Sequence, residues 1–504
     1  MIRILKSIIR SISQAIYNDP ELRAFFARHP RISSFVKNRL TPDEKFGLNL
    51  TVGAIIALFF VFLFFVIVQD LIGQEALIQA DLRVINLVQI FRVAWFSKVM
   101  LVFTYLAKWQ IVVAGLAAIS IVFIILRRWY YLLTMLISAG VGELFVWILK
   151  NYFDRPRPPL INALAPEMSY SFPSGHAFVA VAFYGLLAYF VFLTFKSKII
   201  RVITILLTII LVIMIGFSRV YLGVHWPSDV LASYVSGIAW LSVLITALEI
   251  RRKFSDIEYR PLISRKFSII ISIILSLFFA IFVIGYYISH PLKPAVEITT
   301  ETTFIVQNDI PAIFNNTPRT SEDITGKPME PIDIIIVGSQ EKLRAIFSKA
   351  GWFESDILSS KTLWRAAGAT LRNKPYPEAP GVPSFWDSRP NDFAFEKSTP
   401  ANSIKERHHI HFWETTYKTS EGQNIFFATA HFDQGVKLSS SLIVPTHKID
   451  PAIDKERDFV KQDILNTGDV EKIQEFKIVE PTLGKNQSGD QFFTDGKAYI
   501  VYLK

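Results

Sequence analysis

Seven stretches of the chain are apolar and long enough, or nearly so, to cross a membrane. They run over residues 46–69, 110–126, 129–149, 174–195, 199–217, 228–248 and 267–289. A bilayer core of ~30 Å is crossed by about 20 helical residues. Backbone inside lipid must satisfy its own hydrogen bonds, so such runs fold as helices. The second stretch is short and can begin earlier, near Val99. The apolar-periodic stretch 76–107 reads as an extracytoplasmic connector rather than a span. Hydrophobic residues make up 51% of the 504, and phenylalanine occurs 42 times, which fits a polytopic membrane protein. The chain has no cysteine, which excludes disulfides, thiolate catalysis and cysteine-ligated zinc.

Charge sets the orientation. Residues 1–45, "RRW" at 127–129, "KSK" at 196–198 and "EIRRKFSDIEYRPLISRK" at 249–266 are basic and fall on one side if every stretch spans. The positive-inside rule makes that side cytoplasmic. The loops 150–173 and 218–227, and everything from 290 to 504, then lie outside. A net charge of +10 is read as topology and contact with anionic lipid rather than nucleic acid, for which no motif is present. The first residues, "MIRILKSIIRSISQAI", place Ile2, Leu5, Ile9, Ile12 and Ile16 on one helical face, as in an interfacial amphipathic helix or an ordinary surface helix. A cleaved signal peptide is not evident.

After Pro291 the long apolar runs stop. "IDIIIVG" (332–338) reads as a buried strand, followed by a helix with Ser339 as N-cap. "RHHIHFWETTY" and "NIFFATAHFD" read as strands joined by "KTSEGQ". "DPAIDKERDFVKQDI" reads as a helix with Asp450 as N-cap and Pro451 at N1. The end is predicted to be a hairpin around Asp495-Gly496. The expected fold is therefore an α-helical polytopic membrane protein with a C-terminal α+β soluble domain. Its parts are a basic segment 1–45, a transmembrane domain 46–248, a loop and seventh span 249–289, and the distal domain 290–504.

Three pieces that this topology sends to the outer face carry chemistry: "KNYFDRPRP" from Lys150, "PSGH" (173–176) and "SRVYLGVHWPSD" (218–229). Lys150, Arg157 and Arg219 supply fixed positive charge, and the arginines offer bidentate forks. Ser174 and Gly175 open the fourth span, where free N–H groups and the helix dipole favour an anion. Phosphate ester cleavage asks for such donors, for a nucleophile and for an acid. Asp229 lies four residues after His225, placed to hold one ring nitrogen and leave the other free to attack. This makes His225 the nucleophile and His176 the acid.

These pieces resemble the type 2 phosphatidic acid phosphatase (PAP2) superfamily, which also contains vanadium haloperoxidases and bacterial acid phosphatases. Its pattern is K-x6-RP, PSGH and SR-x5-H-x3-D. Every position is matched, by Lys150 and Arg157-Pro158, by Pro173 to His176, and by Ser218-Arg219, His225 and Asp229. The resemblance covers about residues 80–245. It implies a six-helix core, a phosphohistidine at His225, a general acid at His176, and phosphate held by Lys150, Arg157, Ser174, Gly175 and Arg219. It implies no cofactor and no metal in that site. Residues 300–480 resemble the LssY-like C-terminal domain attached to such phosphatases in bacteria, through "IDIIIVGSQEKLRAIFSKAGW" and "RHHIHFW".

Two further signals stand apart. Glu143 lies inside the third span, as a functional group or as a hydrogen-bond partner for a neighbouring helix. His409 and His411 share one strand face. If "SEG" (420–422) forms a three-residue hairpin loop with Gly422 left-handed, His411 faces His431 and His409 faces Asp433. That face is then either a metal site or a polar, solvated surface.

The whole predicts a membrane phosphatase acting on isoprenyl (undecaprenyl) diphosphate or phosphatidic-acid-like lipids, in a bacterial inner membrane, with its site and C-terminal domain periplasmic. An envelope protein partner through residues 290–504 is a further expectation. The alternatives are a non-catalytic envelope or secretion component on the same scaffold, and a vanadate-dependent haloperoxidase.

Overall fold

A computed structural model describes residues 19–40, 46–159, 163–165, 167–254, 262–291, 302–372, 374–403, 406–438, 445–486 and 489–504. The amphipathic segment 2–16 lies outside the described residues. Two short helices, α1 (Pro20–Arg28) and α2 (Pro30–Leu40), each open on proline, whose missing N–H costs nothing there.

The membrane region contains α3 (Leu48–Gly73), α4 (Ala76–Gln89), α5 (Ala94–Leu106), α6 (Trp109–Ile125) and α7 (Trp129–Phe153). After these come α8 (Gly175–Thr194, with a π-helical turn at Ala180–Tyr184), α9 (Lys198–Tyr221), α10 (Pro227–Phe254) and α11 (Arg265–Ser289). Among the described residues, six helices are long and apolar enough to cross a membrane, and α5 with α6 forms a seventh candidate bent by 52°. The large side chains Ile55, Leu58, Phe59, Phe62 and Phe65 of α3 are exposed, a pattern that suits lipid and not water. The chain is a multi-span membrane protein.

The stretch 76–107 is not one connector. Only α4 connects, and α5 joins α6 across a break at Ala107–Lys108, where Lys108 has extended backbone. A charge in an apolar helix needs a partner. The break lets the Lys108 ammonium meet Glu167 at 2.9 Å.

Close packing positions α8. A Cβ at Gly142 of α7 would meet Phe178 Cε1 at 2.8 Å, and one at Gly237 of α10 would meet Val181 Cβ at 2.9 Å. Small residues let the three backbones approach and lock the helix that begins at the PSGH motif.

The distal region folds around a nine-stranded sheet. Its strands are β1 (Thr303–Ile305), β2 (Pro445–Ile449), β3 (Ile334–Gly338), β4 (Phe353–Glu354), β5 (Phe393–Ser403), β6 (Glu406–Thr419), β7 (Asn424–Leu438), β8 (Val470–Lys477) and β9 (Lys497–Leu503). The order is β8-β9-β3-β7-β6-β5-β4, with β1 beside β6 and β2 beside β7. All five residues of β3 are buried, as the sequence predicts. One sheet face packs helices α12 (Gln340–Lys349) and α13 (Ile453–Leu465) through Leu343, Phe347, Val460 and Ile464. The Ser339 hydroxyl caps α12 by accepting from the Lys342 N–H at 3.3 Å. The other face carries Trp413, Phe427 and Ile500 under a 3₁₀ segment at Gln307–Asn315.

Three expectations are corrected here. Helix α13 starts at Ile453, because Pro451 and Ala452 pair with Phe493, and Asp450 caps only the Ala452 N–H. The Asp495-Gly496 turn does not close a hairpin. The strand before it, Gln491–Thr494, pairs with Thr482–Lys485, while β9 after it joins the large sheet. Arg457 holds the turn apart by bonding Asp495 at 2.7 Å and the Lys497 carbonyl at 2.9 Å. Third, the β6–β7 register shifts. The loop forms as expected, with Gly422 at φ 81° and Asn424 opposite Lys418. A bulge at Thr415–Tyr417 then displaces β6 by two residues, so His409 faces His431, His411 faces Thr429, and Asp433 faces Arg407. Thr415 stabilises the bulge, its hydroxyl donating to the Ile425 carbonyl at 2.7 Å. A shift of two preserves the face, because side chains alternate with period 2.

The distal region rests on α4. Arg83 forms a buried ion pair with Glu322, and the Asn86 side chain donates to the Ser388 carbonyl at 2.8 Å.

Candidate active site

The site forms where α9 ends and α10 begins. Pro227 starts α10 and puts Asp229 in its first turn. There Asp229 Oδ2 accepts from the Trp226 N–H at 3.0 Å and lies 3.2 Å from His225 Nδ1. This fixes the ring and leaves Nε2 pointing toward Arg157, whose guanidinium is 3.2 Å away. Burial, reinforced by Arg157, Arg219 and Lys150, holds the His225 pKa well below the ordinary imidazole value. The ring is neutral, so Nε2 carries a lone pair.

The sequence reading missed what holds Asp229. Arg155 donates to Asp229 Oδ1 at 2.7 Å and to Ser228 Oγ at 2.7 Å, and it pairs with Asp81 of α4 at 2.7 Å. Asp81 in turn accepts from the Ser228 N–H at 2.9 Å. Arg155 stands two residues before Arg157 in one Pro-Arg run, a usable signal. Nothing local marks Asp81, an acid on an amphipathic helix.

The second missed group is Glu167, the lone acid among residues 155–173. Its carboxylate lies 2.7 Å from Arg219, 3.1 Å from Arg157 and 2.9 Å from Lys108. Burial penalises its charge, but Arg219 and the other cations prevail and hold its pKa well below the usual carboxylate range. A carboxylate thus sits in a ring of three cations next to His225. Thr104 of α5 accepts from the Arg219 guanidinium and fixes it from behind.

The other predicted residues converge here. Lys150 donates to the Tyr170 carbonyl and is in electrostatic reach of Glu167, Asp229, Arg157 and Arg219. His176 is in reach of Glu167 and Arg219, and among the described residues its Nε2 is buried without a hydrogen bond. Ser174 precedes the first residue of α8, but its buried hydroxyl makes no capping bond and has no partner among the described residues. Gly175 follows it against Val146. Glu143 does not join them. It is exposed on α7, and among the described residues the neighbouring-helix partner expected for it is not there.

A bundle of spans whose rim joins two histidines to a ring of cations around a carboxylate defines the class: a membrane protein with a built anion site. Comparison with known proteins is specific. The PAP2 superfamily model matches residues 127–253, and the model described as LssY C-terminus matches residues 314–498. The chain is 34% identical over 182 residues to phosphatidylglycerophosphatase B of Bacillus subtilis (strain 168), covering 35% of this chain and 87% of that protein. It is 28% identical over 215 residues to an undecaprenyl-diphosphatase of Sulfolobus acidocaldarius, covering 40% and 94%. A crystal structure of a transmembrane PAP2 type phosphatidylglycerolphosphate phosphatase from Bacillus subtilis aligns over 39% of this chain and 96% of its own, with 28% identity and a TM-score of 0.34. The chain belongs to the PAP2 superfamily and is a PAP2-type phosphatase carrying an LssY-type C-terminal domain.

Proposed function

We propose that the protein removes phosphate from membrane lipids, with isoprenyl (undecaprenyl) diphosphate and phosphatidic-acid-like lipids as the substrate class. The observation that carries this reading is the Glu167 carboxylate. Arg219, Arg157 and Lys108 already hold an anion within 3.1 Å, in the place where a substrate phosphoryl group would bind once Glu167 withdraws. Relatives named for phosphatidylglycerophosphate and undecaprenyl diphosphate support a lipid substrate. So does a cavity of about 480 Å³ lined by Leu71, Ile78 and Phe153, with Asp81, Arg155 and Trp226 of the catalytic network on its wall. It offers apolar surface to a lipid tail beside the site.

In the proposed reaction His225 Nε2 attacks phosphorus and the bond from phosphorus to the lipid oxygen breaks. Protonated His176 gives its proton to that oxygen, releasing the lipid alcohol or lipid monophosphate. Water then attacks the phosphohistidine, His176 takes its proton, and inorganic phosphate leaves. Asp229, held by Arg155, keeps the His225 ring oriented and stabilises the charge that develops on it. Lys150, Arg157, Arg219, Ser174 and the Gly175 N–H stabilise the equatorial oxygens. The basic loops support an active site and C-terminal domain on the outer face of a bacterial inner membrane.

The test is phosphate release from purified undecaprenyl diphosphate, phosphatidic acid and phosphatidylglycerophosphate by protein in detergent. Turnover of one or more, lost in His225→Ala, is expected. Absence of turnover on every lipid phosphate by correctly folded protein would overturn the reading.

A further inference from the structure

The distal sheet holds a second histidine cluster that phosphatase chemistry does not use. His409 and His411 of β6 and His431 of β7 each present a ring nitrogen within 4.8 Å of the others. The rings meet directly, with centroids 4.3 Å (His409–His411), 5.0 Å (His409–His431) and 5.6 Å (His411–His431) apart. His409 and His411 are 1% and 4% exposed, which overturns the solvated-surface reading of this face. Among the described residues, both nitrogens of His409, and Nδ1 of His411, are buried without a hydrogen bond. An unmet buried polar atom is costly, so three in one place need an account.

The surroundings are acidic. Asp433 lies 3.5 Å from His431 Nε2 and 3.8 Å from His409 Nδ1, and Glu396 lies 3.7 Å from His409 Nδ1. Among the described residues, Arg407 pairs with both carboxylates. Gly381, in the proline-rich run 375–383, closes over the ring, and a Cβ there would meet His409 Cε1 at 2.3 Å.

We propose that His409, His411 and His431 bind a first-row divalent metal ion of the zinc class, with Asp433 and Glu396 orienting the rings. Imidazoles suit zinc, copper and nickel, whereas magnesium and calcium demand oxygen ligands. Zinc–nitrogen bonds of about 2.0–2.1 Å place tetrahedral ligands roughly 3.4 Å apart. Side-chain rotations that close the present spacing, at most 4.8 Å, to roughly 3.4 Å reach that geometry. Carboxylates beside ligating histidines are the usual arrangement for fixing ring orientation. The ion would pin β6 to β7 below the bulge, where the even register shift brings His409 opposite His431.

The test uses the full chain in detergent, stripped with chelator and dialysed. Zinc is titrated calorimetrically, metal content is measured by mass spectrometry, and cobalt is added for its visible tetrahedral bands. One zinc per chain is expected, with a melting temperature raised by about 5 °C. His411→Asn and the half-buried His431→Gln should each weaken zinc binding at least about 100-fold and abolish the cobalt bands, while circular dichroism shows the fold retained. His225→Ala should keep the metal. The proposal is overturned if the wild-type chain takes up no zinc at micromolar concentration. It is equally overturned if folded His431→Gln and His411→Asn bind one ion as tightly as wild type, or if His225→Ala is the variant that loses it.

Discussion

Both halves of this chain bury histidines, each with a carboxylate beside it, and the excess charge around them is opposite in sign. In the membrane half His225 is surrounded by Arg157, Arg219 and Lys150, and a carboxylate already lies among those cations. In the distal half His409 lies beside Glu396 and Asp433. Neutral imidazole can attack an electrophile, shuttle a proton or ligate a metal, and the ring alone does not choose. The surrounding field does. Cations around a histidine select an anionic substrate, and carboxylates around histidines select a cation.

The sharpest way to break the comparison is His225→Ala, which should lower kcat/KM for lipid phosphate by at least about 10⁴-fold, read as phosphate release. Activity within tenfold of wild type would remove His225 from the chemistry. Asp229→Asn should cost about 10³-fold with the fold intact, because the amide misdirects the ring. Arg155→Met, which frees both Asp229 and Asp81, should cost about 10²-fold in kcat with little change in KM. A matching rise in KM would make Arg155 a substrate ligand instead. Since the His225 pKa is held down, its neutral, attacking form persists below pH 6.5. The acid limb of kcat/KM that belongs to it therefore lies below that value, and a pH–rate profile of wild type checks the sign.

Smaller effects sharpen the comparison. Glu167→Gln removes the charge that competes for the cation ring, so vanadate and inorganic phosphate should inhibit about 10-fold more tightly. Weaker inhibition would make Glu167 part of the binding machinery. The smallest effect concerns the link between the halves. Arg83→Ala breaks its buried pair with Glu322 and should raise hydrogen exchange in α4, yet change phosphate release less than about threefold. Asp81 on the same helix remains anchored by Arg155 and Ser228. A loss as large as that of Asp229→Asn would show that the distal domain supports catalysis through α4.

Much was legible from pattern. The apolar runs, the buried strand at 334–338, the Ser339 cap and the Gly422 turn rest on local chemistry, and each formed. The eight candidate site residues share one place, because the spans are long enough to return the chain to one membrane face. What failed depended on distant partners. Asp495-Gly496 looks like a hairpin turn, but Arg457, 38 residues away, sends its two arms to different sheets. The two-residue bulge at Thr415–Tyr417 decided which histidine faces which, and hairpin spacing gives no sign of it.

By itself the sequence determined the apolar spans, the PAP2 motif set and the eight candidate residues that the fold brings together. Periodicity, charge asymmetry and motif spacing are properties of neighbouring residues. Only the tertiary structure decided that Arg155 bridges Asp229 to Asp81, that Lys108 turns out of its helix toward Glu167, and that three histidines lie buried together. Buried charges and unmet nitrogens are costly unless a partner is found, and those partners come from segments the chain brings together only on folding.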